Sequence, residues 1–229
     1  MTLVSISGAC SRSGKTAAAV SLLRALSGGR AVAVKFTTTE DVFERCPRGT
    51  TCVVCDIDVP FRIVDDPAVL DEAGTDTARL RDAGAARVVW AIARQSAVAA
   101  AWAAVQPRLG GADVVVMEGS TITAVARPDR QVFVAHPWLS PQRWKPTSAA
   151  CIAQADVVVV NRPRSEDRPP SPEVMDALRR HRRSPHLTIA DVTAPPSEWA
   201  PALMRDLARA ANQPDGGRSA RDAAAQVRA

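Results

Sequence analysis

Tyrosine is absent from this 229-residue chain, and tryptophan and phenylalanine together make up only 4% of it. Surfaces that stack nucleobases need exposed aromatic rings. The net charge of +5 therefore does not by itself point to nucleic acid, which is disfavoured as a partner. Arg179, Arg180, Arg182, Arg183, Arg218, Arg221 and Arg228 read instead as a solvated basic surface. No run of 18 or more apolar residues occurs, so no segment suits a membrane-spanning helix. The chain enters a strand pattern at once, Leu3 to Ser7, without a basic leader or a small-residue cleavage site, and a cytoplasmic protein is expected. Cysteine is scarce and odd in number, five in all. Without an export signal, that count points to metal or redox chemistry rather than a disulfide framework.

Hydrophobic residues make up 46% of the chain, enough to bury a full core. Short apolar runs alternate with amphipathic, helix-length segments. Strands are expected at Val4–Ser7, Ala31–Phe36, Val88–Ala93, Asp113–Glu118, Val132–Ala135, Asp156–Asn161 and Leu187–Ala190. Helices are expected at Thr16–Leu26, Thr75–Ala83, Ala97–Leu109, Thr147–Ala155, Glu173–His181 and Pro201–Ala211. Near-continuous valine runs between helices indicate parallel strands covered on both faces. The pattern predicts an α/β fold with an open, doubly wound, mainly parallel sheet in three α/β/α layers. One domain is expected over residues 1–212, with a cysteine-bearing insertion at about 37–73 and a disordered tail over 213–229. Ligands of such sheets bind beyond the carboxyl ends of the strands, which is where the motifs fall.

The first strand runs into Gly8-Ala9-Cys10-Ser11-Arg12-Ser13-Gly14-Lys15-Thr16, close to the phosphate-loop pattern G-x-x-x-x-G-K-[ST]. The first glycine position is Ala9, with Gly8 beside it. Small residues and Gly14 let the backbone wrap phosphate oxygens, and the helix that follows adds its free N–H groups. Lys15 is expected to reach the terminal phosphates, and the Thr16 hydroxyl to bind Mg²⁺ carried with ATP or GTP.

Glu118, at the carboxyl end of a valine-rich strand, is a candidate to hold the Mg²⁺ shell or polarise a water. Asn161 ends another such strand and is a candidate to hydrogen-bond a nucleobase edge, with Arg162 stacking on it. Its alternative is an asparagine in a turn. Guanine-selective proteins place an aspartate three residues after this asparagine; here the residue is Arg164, so guanine selectivity is not supported.

The stretch Gly74-Thr75-Asp76-Thr77-Ala78-Arg79-Leu80-Arg81-Asp82-Ala83-Gly84-Ala85 resembles the "GKDSYRHREAGA" segment of the molybdopterin-guanine dinucleotide biosynthesis protein B family. The loop Cys10–Thr16 is similar to that family's first motif, Lys35 matches its "K-H" position, and Val114–Gly119 resembles its "LVLVEG" strand. The resemblance spans about residues 3–119. It implies a homodimeric P-loop GTPase that assists nucleotide attachment in molybdenum-cofactor maturation, working with a protein client. It also implies that Asp76, Thr77 and Arg79 line the nucleotide or partner face. The residues alone allow another reading, in which the Asp76-Thr77 pair caps a helix and Arg79 and Arg81 are solvated. The family's histidines after the lysine are replaced here by Phe36-Thr37-Thr38-Thr39.

The resemblance does not account for Cys46, Cys52 and Cys55. Three thiols at this spacing suit Zn²⁺ or an iron–sulfur cluster, with the fourth ligand from Cys10, Cys151, Asp56 or a partner. The alternatives are a redox dithiol and a buried strand with Cys55 in the core. Three functional classes thus stand: an Mg²⁺-dependent NTPase, a cysteine-cluster metallochaperone or redox-coupled NTPase, and a small-molecule kinase or ATP-dependent ligase.

Overall fold

The computed structural model describes residues 1–26, 29–39, 59–184 and 186–211. The expected parallel strands all form: β1 (Thr2–Gly8), β2 (Ala31–Thr38), β4 (Arg87–Ala93), β5 (Val114–Glu118), β6 (Arg130–Ala135), β7 (Val157–Asn161) and β8 (Leu187–Ala190). A strand not expected from the sequence, β3 (Phe61–Val64), pairs antiparallel with β4, Phe61 opposite Ala93 and Val64 opposite Trp90. Among the described residues one eight-stranded sheet results, in the order β3-β4-β2-β5-β1-β6-β7-β8.

The long helices are α1 (Lys15–Ala25), α3 (Asp76–Asp82), α4 (Val98–Val105), α6 (Ser148–Gln154), α7 (Pro172–His181) and α9 (Pro201–Ala211). Single turns α2 (Pro67–Leu70), α5 (Thr123–Ala126) and α8 (Pro196–Trp199) complete the set. The segment expected to be helical through Leu109 is α-helical only to Val105 and continues as a 3₁₀ turn over Gln106–Leu109. Pro107 lacks the N–H that another α-turn requires.

Alternation along each strand sends side chains to opposite faces, and each face is buried. Val4, Ile6, Leu22, Leu23, Leu80 and Trp199 form one core. Val32, Val34, Val89, Trp102 and Met117 form a second beneath α4. Phe133, Ile152, Val158 and Leu178 extend burial beneath α6 and α7. Each such side chain contributes about 1.5–3 kcal/mol when fully buried. The sheet is thus covered on both sides, which is the three-layer arrangement that the valine runs predict.

The order also fixes where a ligand can sit. β1 lies between β5 and β6, while its own helix leads to β2, on the far side of β5. Connections leaving in opposite directions open a crevice beyond the carboxyl ends of these strands. The segment after Gly8, Glu118 and the end of β2 all meet there.

Candidate functional site

Gly8 ends β1 where nothing larger fits. A Cβ there would lie 2.5 Å from Ser13 Oγ and 2.8 Å from the Val134 carbonyl. This close approach explains why the glycine stands at position 8, beside the usual place. The loop then turns through two left-handed residues, Arg12 at φ 61° and Gly14 at φ 105°. Gly14 precedes α1 without a side-chain cap, and no acidic residue lies in the first turn. Asp66, Thr75 and Ser171 cap α2, α3 and α7, while α4, α5, α6 and α8 also begin without a side-chain cap. No side chain caps the N–H groups at the start of α1, and such groups can meet an anion.

Groups from outside hold the loop in place. The Asn161 amide donates from Nδ2 to the Ser13 carbonyl at 3.1 Å and accepts at Oδ1 from Val192 N–H at 3.3 Å. The Lys145 N–H donates to the Ala9 carbonyl at 2.8 Å. Ser120 Oγ accepts from Gly8 N–H at 3.2 Å. Both ends of the Asn161 amide thus meet backbone groups that need partners, and the side chain braces the loop.

Above the loop lies a connected set of charges. Thr16 Oγ1 donates to Glu118 Oε2 at 2.9 Å. Lys35 Nζ donates to Glu118 Oε1 at 2.7 Å and to Asp76 Oδ2 at 2.6 Å. Lys35 and Glu118 are direct partners in the β2–β5 register, which is why their side chains meet. Asp76 arrives from the first turn of α3, whose cap is Thr75, accepting from Ala78 N–H at 3.2 Å. The reading in which Asp76 and Thr77 serve as the cap is thereby overturned, because Thr75 does that work one residue earlier. Arg79 lies beside Asp76 at 3.8 Å, and Arg81 pairs with Asp71.

Lys15 Nζ donates to the Cys10 carbonyl at 2.7 Å, folded back over its own loop. Burial lowers its pKa to about 8, only partly countered by Glu118. Burial works against Lys35 too, yet Glu118 and Asp76 together hold its pKa above the usual lysine value. Asp76 is held below the usual carboxylate value, as Lys35 outweighs the effect of burial. Burial raises the Cys10 thiol against the pull of Lys15, so this cysteine is a neutral filler.

These residues open onto a cavity of about 510 Å³. Ser11, Arg12, Gly14, Lys15, Thr16, Lys35, Asp76, Arg79 and Glu118, all expected from the sequence, line it. Gly8, Ala9, Cys10 and Ser13 build the loop beneath, and Asn161 stands behind it. Cys46, Cys52 and Cys55 lie outside the described residues. Cys10 and Cys151 are free and buried. Among the described residues no group of three or more His, Cys, Asp or Glu forms a metal-binding cluster.

Lys145, which the sequence offers as a contact for an anionic ligand, also lines the cavity, as do Thr37, Thr38 and Ser120, which no motif marks. One signal was available for Lys145. Only three of the 29 basic residues are lysines, and Lys15, Lys35 and Lys145 all line this cavity. Arginine serves everywhere else.

The strand order, the loop after the central β1 and the carboxylate ending the adjacent β5 define a P-loop NTPase fold. No protein-family profile matches the chain, and no characterised protein matches it by sequence. Solved structures similar to it include the septum site-determining protein MinD of Pyrococcus horikoshii complexed with Mg-ADP. That match has 15% identity, covers 94% of this chain and 97% of that one, and has a TM-score of 0.41. HypB of Helicobacter pylori in complex with nickel has 13% identity, covering 95% and 91%, with a TM-score of 0.47. A chain of the MinC:MinD cell division protein complex of Aquifex aeolicus has 12% identity, covering 96% and 99%, with a TM-score of 0.37. Identities of this size carry no chemistry across, and the site rests on its own residues. No helix among the described residues is long and apolar enough to cross a membrane.

Proposed function

We propose that this chain binds a nucleoside triphosphate with Mg²⁺ and promotes reaction at its terminal phosphate. The observation that carries this reading is the 2.9 Å contact between Thr16 Oγ1 and Glu118 Oε2 above an uncapped helix start. A hydroxyl, a buried carboxylate and the nearby Asp76 form an all-oxygen donor set. That set fits Mg²⁺, which takes one or two carboxylates and completes its shell with phosphate oxygens and water. Thr16, Glu118 and Asp76 are the residues that would hold it, and the ion would neutralise charge on the phosphates.

The chain's own residues do the rest. The N–H groups from Ser13 to Thr16 cradle phosphate oxygens. Lys15 leaves the Cys10 carbonyl to contact the terminal phosphates, and Glu118 orients an attacking group. A triphosphate analogue carrying a fluorophore, titrated with and without Mg²⁺, tests this. Binding should need Lys15 and strengthen with Mg²⁺ only while Thr16 is present. Unchanged binding in Lys15→Ala would sink the reading.

The finer role, assistance in molybdenum-cofactor maturation with a protein client and a second copy of the chain, is part of this proposal. It is supported by Lys35 and Asp76: both belong to stretches that carry the family resemblance, and they meet at 2.6 Å. A second reading, a small-molecule phosphotransferase or ligase, draws on the way the cavity runs past the loop over Thr37, Thr38 and Thr121. Transfer of labelled γ-phosphate to an acceptor panel, against release as free phosphate, separates the two.

A further inference from the structure

Lys35 is an unusual neighbour for a cation seat. Its ammonium bridges Asp76 and Glu118 at 2.6 Å and 2.7 Å, touching the two carboxylates that an oxygen-loving cation would need. Glu118 is only 3% exposed. A carboxylate so buried requires a counter-charge in every state of the protein. With no divalent cation bound, Lys35 supplies it. A dication at Glu118 Oε2, the oxygen that Thr16 contacts, would lie a few ångströms from an ammonium on Oε1 of the same carboxylate, and the two repel.

Resting on the nucleotide reading above, we infer that Lys35 is a resident counter-cation for this seat. It holds Asp76 and Glu118 together before the metal arrives and gives them up when a divalent cation takes them. Its ammonium is then released into a cavity that already holds Lys15 and Lys145. Lys35 thereby acts twice. It keeps the seat from taking up bare divalent cations, and it adds a positive charge near bound phosphate only once the metal is in place. The lysine is suited to this exchange because its flexible stem carries a compact charge.

Two measurements test the inference. The first uses the full chain without nucleotide and follows Mn²⁺ binding by electron paramagnetic resonance. Lys35→Met removes the competitor and should bind Mn²⁺ tighter, on the order of tenfold, whereas Lys35→Arg should stay as weak as the wild type. Equal or weaker binding by the methionine variant would overturn the idea.

The second keeps the wild-type protein, so it stands even if Lys35→Met fails to fold. With ¹³C at lysine Cε the chain gives three side-chain signals, since it has three lysines. Mg²⁺ together with a non-hydrolysable triphosphate analogue should move the Lys35 signal towards that of an unpaired lysine. If the Lys15 signal responds to the nucleotide while Lys35 stays fixed, this inference fails and the nucleotide reading survives. If no lysine signal responds and no analogue binds, the nucleotide reading itself fails.

Discussion

Asn161 Nδ2 lies 3.1 Å from the Ser13 carbonyl, so the end of β7 is tied to the turn that carries Gly14. Removing the amide orphans Ser13 C=O and Val192 N–H together. Asn161→Ala should destabilise the fold by about 1–3 kcal/mol, read by urea denaturation, and weaken triphosphate binding. A residue that only read a base would leave stability alone and change the preference between ATP and GTP.

Gly14 tests the same contact from the other side. A Cβ at this position would lie 2.2 Å from Asn161 Nδ2, on a backbone at φ +105°. Gly14→Ala should abolish nucleotide binding. Adding Asn161→Ala should recover little, because the left-handed strain remains. Full recovery in the double variant would show that the clash alone matters.

The charge on Lys15 titrates near neutral pH, at about 8. Between that value and the ordinary lysine value the unfolded chain binds more protons than the folded one, so the free protein should gain stability as pH rises through this window. Nucleotide affinity should move the opposite way. It should hold below pH 8 and fall above it, as the ammonium that meets phosphate loses its proton. Titrations of the fluorescent analogue across this range check both the fall and its absence in Lys15→Arg, which stays charged.

The two carboxylates on Lys35 should not respond alike. Lys35→Ala removes the ammonium bonded to buried Glu118 and should cost about 3 kcal/mol. Asp76 is 42% exposed, so solvent screens its share, and Asp76→Asn should cost about 1 kcal/mol or less. Thermal melts of the two variants at one pH give the comparison.

Trp199 is fully buried, and its indole N–H donates to the Ala194 carbonyl at 3.1 Å. Trp199→Ala should cost about 3–5 kcal/mol while leaving the cavity residues in place. Loss of the tryptophan without a fall in melting temperature would contradict the packing.

Much of this could be read from residue order. Valine runs such as Val157–Val160 announce buried parallel strands, and strand, loop and helix around Gly8–Thr16 announce a phosphate loop. Thr16 and Glu118 were each legible from position, and their contact follows once β1 and β5 pair. What the sequence hid is long-range. β3 is four residues long and, among the described residues, pairs only with β4, too short for its alternation to stand out beside Pro60 and Asp65. Asn161 reads as a base contact because residues at strand ends usually face ligand, and its bracing of the loop is not visible locally. Its partner Val192 lies 31 positions away, and no local pattern joins them. Lys145 reaches the loop through its backbone N–H, a group every non-proline residue has. Its place before a helix and the scarcity of lysine mark it as a candidate anion contact, but not as a brace of the loop.

The place of β1 has a kinetic consequence. It carries the phosphate loop and is hydrogen-bonded on both sides, to β5 from Thr2 to Ile6 and to β6 from Val4 to Gly8. Its amides should be among the last to exchange with deuterium, at a rate set by global rather than local opening. A ligand of the loop would therefore not leave by loosening the strand beneath it. Under the proposed function, release would run through the rim that Arg12, Arg79 and Asp76 line, while the floor stays intact.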